Sequence, residues 1–254
     1  MKGLKERLRN GEIVIGTFLS LGNAITTEIV ANAGFDWVVI DLEHGIGSEG
    51  DVVHQLLSIR NSNVSAIVRV ESFQRQRIHR VLDAGADGIM CPKIENAEEA
   101  DLAVKAMWYP PAGFRGVAKM IRAAGYGEEF SGYSQNARSE LLGVIQIETL
   151  GALDHLDAIA ATDGVDVLFI GPSDLTMVLG IFGQTDHPLF IDAVRQIVHA
   201  AFKAGKQVGI LLSDPADLKK YQQLGIQFIA CGTDAGFLNK GARQTVEALL
   251  KAKK

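Results

Sequence analysis

Five times along this chain a helical stretch ends in glycine, a short spacer follows, and a β-branched run begins. The junctions are Asn32-Ala33-Gly34-Phe35-Asp36-Trp37, Asp83-Ala84-Gly85-Ala86-Asp87-Gly88, Thr162-Asp163-Gly164-Val165-Asp166-Val167, Lys203-Ala204-Gly205-Lys206-Gln207-Val208 and Gln223-Leu224-Gly225-Ile226-Gln227-Phe228. Glycine takes the left-handed position after a helix without a Cβ clash, so each junction turns a helix into a buried strand. All β-like runs together fall near 13–20, 36–41, 64–70, 87–92, 143–148, 166–171, 207–212 and 227–231. Eight alternations of strand and helix in 254 residues predict a (β/α)8 barrel spanning 1–254 as one domain, with an open doubly wound sheet as the alternative. A hydrophobic content of 47% is enough for one large core. The last helix, about 234–252, spaces Phe237, Ala242, Val246, Leu249 and Leu250 along one face, which packs on its own barrel or on a neighbour.

The net charge of −5, with no Lys/Arg block outside the terminal Lys251-Ala252-Lys253-Lys254, argues against nucleic acid or an anionic membrane as partner. Met1 to Asn10 is charged throughout, and no apolar run approaches the ~20 residues of a membrane span, so a soluble cytoplasmic chain is expected. The two cysteines, Cys91 and Cys231, sit in or beside strand-like runs and read as buried free thiols, not as a disulfide or a metal site.

In a parallel barrel, residues at the strand exits line the mouth where chemistry is done. Glu148 ends Val144-Ile145-Gln146-Ile147, and Asp174 follows Val167-Leu168-Phe169-Ile170-Gly171-Pro172-Ser173. These acids come from adjacent strands. They can converge on one hard cation, leaving coordination positions for water and substrate oxygens, as in a Mg²⁺- or Mn²⁺-type site that polarises a carbonyl. The competing reading is a helix cap or a salt bridge. Gly171-Pro172-Ser173-Asp174 also opens a helix, whose unsatisfied N–H groups offer a seat to a small carboxylate.

Arg69 closes Ala66-Ile67-Val68-Arg69, where its guanidinium can hold a substrate carboxylate or a developing enolate oxygen, or else form an ion pair with an acid such as Glu43. His44, in Asp41-Leu42-Glu43-His44, is the one histidine of six at a strand exit; it can move a proton, with Asp83 as a candidate to orient its ring. Lys93 could form an imine if burial lowered its pKa. The long interruption from Tyr109 through Ser139 is expected to lie over the mouth, bringing Arg115 and Arg122 to the site.

Taken in order, Gly34-Phe35-Asp36-Trp37 with Asp41-Leu42-Glu43-His44, Val68-Arg69, Tyr109-Pro110-Pro111-Ala112-Gly113-Phe114-Arg115-Gly116, Gln146-Ile147-Glu148 and Gly171-Pro172-Ser173-Asp174-Leu175 resemble the HpcH/HpaI aldolase family, the metal-dependent class II pyruvate aldolases. The resemblance covers nearly the whole chain. It implies a (β/α)8 barrel assembled as a homohexamer, with the C-terminal helix exchanged between subunits. It implies a divalent ion, Mg²⁺, Mn²⁺ or Co²⁺, on Glu148 and Asp174, with Gln146 beside it and the backbone of Ser173 and Asp174 receiving the pyruvate carboxylate. By the same likeness Arg69 steadies the keto oxygen that becomes the enolate, and His44 with Asp83 transfers the proton. Arg122 would meet the aldehyde, across a subunit boundary. The implied activity is that of an aldehyde-lyase, reversibly cleaving a 4-hydroxy-2-oxo acid to pyruvate and an aldehyde. A lyase acting on a CoA thioester, of the citrate lyase β-subunit type, and a noncatalytic keto-acid-binding barrel are the alternatives. The chain departs from the family pattern at Val70-Glu71-Ser72-Phe73-Gln74-Arg75 and Val117-Ala118-Lys119-Met120-Ile121, which leaves the aldehyde preference open.

Overall fold

The computed structural model describes residues 3–253; Met1, Lys2 and Lys254, the outermost members of the two charged terminal segments, lie outside the described residues. Eight parallel strands, β1 (Val14–Leu19), β2 (Trp37–Asp41), β3 (Ser65–Arg69), β4 (Gly88–Cys91), β5 (Leu142–Ile147), β6 (Val167–Ile170), β7 (Gln207–Leu212) and β8 (Phe228–Thr233), close in chain order into a barrel. Because β8 pairs back onto β1, the open sheet is excluded. Before β1 comes α1 (Leu4–Arg9). Single helices follow the first three strands: α2 (Ala24–Ala31), α3 (Glu49–Ser58) and α4 (Arg75–Asp83). Between β4 and β5 lie α5 (Ala97–Lys105) and α6 (Phe130–Glu140), and after β5 come α7 (Leu150–Asp154) and α8 (Leu156–Ala161). The chain continues with α9 (Pro172–Val178) and α10 (Pro188–Lys203) after β6, α11 (Leu218–Gln223) after β7 and α12 (Asp234–Ala252) after β8.

The two-residue period of a strand divides the core. One set, with Val38, Ile40, Val68, Ile89, Ile145, Leu168 and Ile210, packs against the helices. The other, with Val14, Trp37, Val39, Ile67, Val144, Val167 and Phe228, fills the barrel, and Leu4 and Leu8 of α1 plug its floor. Trp37 stacks on Phe228 at 3.7 Å between ring centroids. A Cβ at Gly16 would fall inside the Trp37 indole, so only glycine fits beside it.

The five glycine junctions all adopt left-handed backbone, with φ between 67° and 101°. At three of them an aspartate follows and fastens the floor. Asp36 accepts the Ile15 N–H at 2.8 Å, Asp87 that of Ala66 at 2.7 Å and Asp166 that of Gly143 at 3.0 Å. Each thereby satisfies an amide at the open end of the preceding strand. Buried Lys5 locks the plug in place: its Nζ reaches Asp166 Oδ2 at 2.8 Å and donates to the Leu141 carbonyl at 2.9 Å.

The long segment from Tyr109 does not cover the mouth of its own barrel. The loop from β4 to α5 is short because Asn96 caps α5 at once, accepting the Glu99 N–H at 3.0 Å. Helix α5 then carries the chain back to the floor, and the excursion belongs to the connection leading into β5. Trp108 lies against Gly164, just ahead of β6, and Arg138 stacks on Trp108 and pairs with Asp163.

Helix α12 does not pack along its own barrel either. Beyond its first turn it is exposed, with Leu238, Val246, Leu249 and Leu250 all in solvent. Among the described residues no helix is long and apolar enough to cross a membrane.

Candidate active site

The inward-facing positions that fill the barrel with apolar side chains turn polar one layer higher. In β2 the series runs Trp37, Val39, Asp41; in β3, Ile67, Arg69; in β5, Leu142, Val144, Gln146, then Glu148; in β6, Val167, Phe169, then Gly171. Strand register sets Asp41 directly beside Arg69. Rigid strands therefore hold the polar cluster, on a floor of closely packed rings that includes Phe18 and Phe169 at 6.1 Å.

Arg69 is held on several sides. Its Nε and Nη2 donate to Asp41 Oδ1 and Oδ2 at 2.8 and 2.7 Å, its Nη1 meets Glu43 Oε2 at 3.1 Å, and its Cζ lies 5.2 Å from the Phe18 ring centroid. Three of the five guanidinium N–H groups are used in this way, leaving one on each Nη for a ligand. Asp41 Oδ1 also accepts the N–H groups of Glu43 and His44 at 3.1 and 3.3 Å, so it shapes the turn after β2. The ion-pair reading of Arg69 and the capacity to bind a ligand are thus both present in one geometry.

Glu148 is almost fully buried, with Oε1 accepting the Lys93 N–H at 2.9 Å and Oε2 accepting from Gln146 Nε2 at 2.8 Å. Burial pushes its carboxyl up to about 7; the Lys93 N–H opposes this, the charges of Asp174 and Glu43 add to it, and Arg69 opposes it. Among the described residues no lysine ammonium or arginine guanidinium pairs with Glu148 or Asp174 within 4 Å, since Arg69 is committed to Asp41 and Glu43. Arg69 therefore stands as one guanidinium against the carboxylates of Asp41, Glu43, Glu148 and Asp174. Gln146 Oε1 is buried and lacks a hydrogen-bond partner. At Gly171 any Cβ would collide with Glu148 Oε2, so only glycine lets this strand exit lie against that oxygen.

These features fit a divalent cation, which would discharge the surplus and add partners to oxygen atoms that lack them. Among the described residues no three His, Cys, Asp or Glu side chains gather into a complete metal site. The fit is to an open site with two acid ligands and positions left for water and substrate.

Asp174 occupies the first turn of α9, which begins at Pro172. Proline has no N–H, and the Leu175 N–H already bonds Gly171 O at 2.9 Å, so the Ser173 and Asp174 N–H groups remain as the donors at this helix end. Lys93 contributes through its backbone. A left-handed φ of 52° turns its N–H toward Glu148, while its side chain is exposed and not desolvated as an imine-forming lysine requires.

Two other expectations need correction within a single chain. His44 is exposed, with Glu43 Oε2 3.9 Å from its Nε2, and Asp83 does not orient it. Asp83 ends α4 at the floor, where buried Arg115 pairs with it at 2.6 Å while lying over the rings of Tyr109 and Tyr133. Arg122 is also at that end, donating to the Ala84 carbonyl at 2.7 Å and the Leu56 carbonyl at 3.3 Å, among the C-terminal carbonyls of α4 and α3. A helix between two parallel strands runs from mouth to floor, so a residue in its last turn cannot reach the mouth that its first turn borders.

With this arrangement established, the family model described as HpcH/HpaI aldolase/citrate lyase matches residues 14–240. The chain belongs to that family. It is 41% identical over 250 residues to a hydroxypyruvate/pyruvate aldolase of Paraburkholderia phytofirmans, covering 96% of each chain. It is also 36% identical over 247 residues to a 5-keto-4-deoxy-D-glucarate aldolase of Escherichia coli, covering 97% of this chain and 96% of that one. The crystal structure of an HpcH/HpaI aldolase/citrate lyase family protein from Burkholderia cenocepacia superposes with a TM-score of 0.92 at 37% identity, over 97% of this chain and 98% of the other.

Proposed function

We propose that this family member is a divalent-metal-dependent aldolase, cleaving a 4-hydroxy-2-oxo acid reversibly to pyruvate and an aldehyde. The observation that carries this reading is buried Glu148, short of cationic partners and set among Asp174, Gln146 and Arg69. Glu148 and Asp174 would hold Mg²⁺, Mn²⁺ or Co²⁺. When bound, such an ion supplies positive charge to a 2-oxo acid and lowers the cost of the enolate.

The chain's own groups account for the remaining needs. The N–H groups of Ser173 and Asp174 receive the substrate carboxylate. The two unused N–H groups of Arg69 face the keto oxygen, where negative charge accumulates as the C3–C4 bond breaks and its electron pair passes into the enolate. His44, working through water, takes the proton from the 4-hydroxyl, the aldehyde leaves, and C3 is then protonated. Asp83 and Arg122 would enter this scheme from a second copy, because their own chain keeps them at the floor. A homohexamer in the cytoplasm, with the exposed face of α12 laid on a neighbour, supplies such a copy.

The deciding experiment is chelation followed by addition of Mg²⁺ or Mn²⁺. Retro-aldol turnover should vanish and return, and activity that survives complete chelation refutes the proposal. A panel containing 5-keto-4-deoxy-D-glucarate, pyruvate-derived aldols with apolar tails and hydroxypyruvate-derived aldols then sorts the substrates. Malyl- and citramalyl-CoA should be left intact.

A further inference from the structure

At the exit of β8 stands an acid that the proposed chemistry does not touch. Asp234 is 5% exposed, and among the described residues no lysine or arginine lies within 4 Å of it. Its charge is met entirely by hydrogen-bond donors. Oδ1 accepts the Ser20 N–H at 2.8 Å, the Ser20 hydroxyl at 3.0 Å and the Ala235 N–H at 2.8 Å. Oδ2 accepts the Leu21 N–H at 3.2 Å, with the Thr26 hydroxyl at 3.5 Å. A carboxylate buried on such terms depends on those donors in place of water, so it fixes the loop that supplies them.

That loop in turn supports the one carrying His44. The Ser20 carbonyl accepts the Ile46 N–H at 2.9 Å. A Cβ at Gly45 would lie 3.2 Å from the same carbonyl, and one at Gly22 would lie 2.6 Å from the Gly47 Cα. The β1–α2 and β2–α3 loops therefore touch backbone to backbone, with no side chain between them to absorb a shift. His44 directly precedes Gly45.

We propose that Asp234 is a positioning residue for His44: it anchors Ser20 and Leu21, and Ser20 holds the turn from which the imidazole projects. The proposal rests on the proton-transfer role given to His44 above. It separates two parts of the site, since the bidentate pairing of Asp41 with Arg69 is set by strand register outside the anchored loop. Losing Asp234 should impair proton transfer while sparing ligand binding.

The test uses the Mg²⁺-loaded full chain. Pyruvate methyl-proton exchange in D₂O reports proton transfer, calorimetry with oxalate reports binding of a planar enolate mimic, and hydrogen–deuterium exchange reports protection of the 42–48 backbone. Asp234→Asn preserves volume but sets an amide donor against a backbone donor. Gly22→Ala leaves the carboxylate intact and pushes on Gly47, so it probes the same linkage if the first variant folds poorly. Both variants should slow methyl exchange by about 10–100-fold, in line with small misplacements of a catalytic group, keep the oxalate Kd within about threefold and deprotect 42–48. A folded Asp234→Asn enzyme with wild-type methyl exchange, or with unchanged protection of 42–48, overturns the proposal. His44→Ala serves as the control. Undiminished exchange in that variant refutes the role of His44 itself, while deuterium uptake in Asp234→Asn still decides whether the loop hangs from Asp234.

Discussion

Carboxylates stand at both ends of this barrel's strands, under opposite conditions. At the floor, Asp36, Asp87 and Asp166 each accept a strand N–H, and two of them also meet a cation, Arg7 at 2.9 Å from Asp36 and Lys5 at 2.8 Å from Asp166. At the mouth, Glu148 is more deeply buried yet among the described residues pairs with no cation within 4 Å, and its acidity is displaced to about 7. The difference shows where the fold is consolidated and where it tolerates an electrostatic cost. Unbalanced charge that would weaken a floor would, in the mouth and on the function proposed above, serve to capture a cation.

The largest expected effect tests the mouth. Glu148→Gln should abolish Mn²⁺ binding by calorimetry and lower retro-aldol turnover by about 10³-fold or more. The same substitution should raise the melting temperature of the metal-free protein at pH 8, because it removes a charge that burial opposes. A lower melting temperature would break the comparison.

Next in size is the reverse change at the floor. Asp166→Ala leaves buried Lys5 without its carboxylate and should cost about 3–5 kcal/mol in denaturant titrations, while kcat/KM per folded molecule holds. Lost chemistry in fully folded Asp166→Ala enzyme would show that the two ends are not independent.

Acidity sharpens the contrast. Glu148 is raised from an ordinary 4.5 to about 7, so the folded, metal-free chain holds a proton that the unfolded chain has released. Its contribution to stability is therefore present below 4.5 and lost as pH rises through 7. A cation must displace that proton, so divalent-ion affinity should fall about tenfold per pH unit below 7 and level off above it. Calorimetry across pH 5.5–8.5 reads the slope, and a flat profile would locate the ion elsewhere. The smallest change is expected for Lys93→Ala, which keeps the N–H to Glu148 and should hold turnover within about threefold, whereas an imine-forming enzyme would lose it.

Much of this was legible before the structure. The eight strands were readable because apolar runs mark every unit and glycine junctions five of them, and Arg69, Glu148 and Asp174 because a polar residue closing an apolar run must emerge at a strand exit. The placement of Arg115 and Arg122 over the mouth of their own barrel was misread, since the excursion after Tyr109 was counted from β4 without the short helix that intervenes. Asn96-Ala97-Glu98-Glu99 held the missing signal, a cap with acids in the first turn that reverses the chain before the excursion begins. Asp83 carries a similar lesson, because a residue closing a helix ahead of a glycine junction belongs to the floor. Asp234 was overlooked although it follows β8 much as Glu148 follows β5. The network around Asp41 was beyond the sequence, because a bidentate contact depends on strand register.

The floor aspartates have a consequence for how the barrel is built. They clasp β1 to β2, β3 to β4 and β5 to β6, whereas the corresponding junctions of β7 and β8 carry Gln207 and Gln227. The cylinder thus has a fourfold rhythm with one beat missing, between β7 and β8. There the backbone ladder, from Gly209 beside Phe228 to Leu212 beside Cys231, joins the strands with no aspartate at the floor to fasten them.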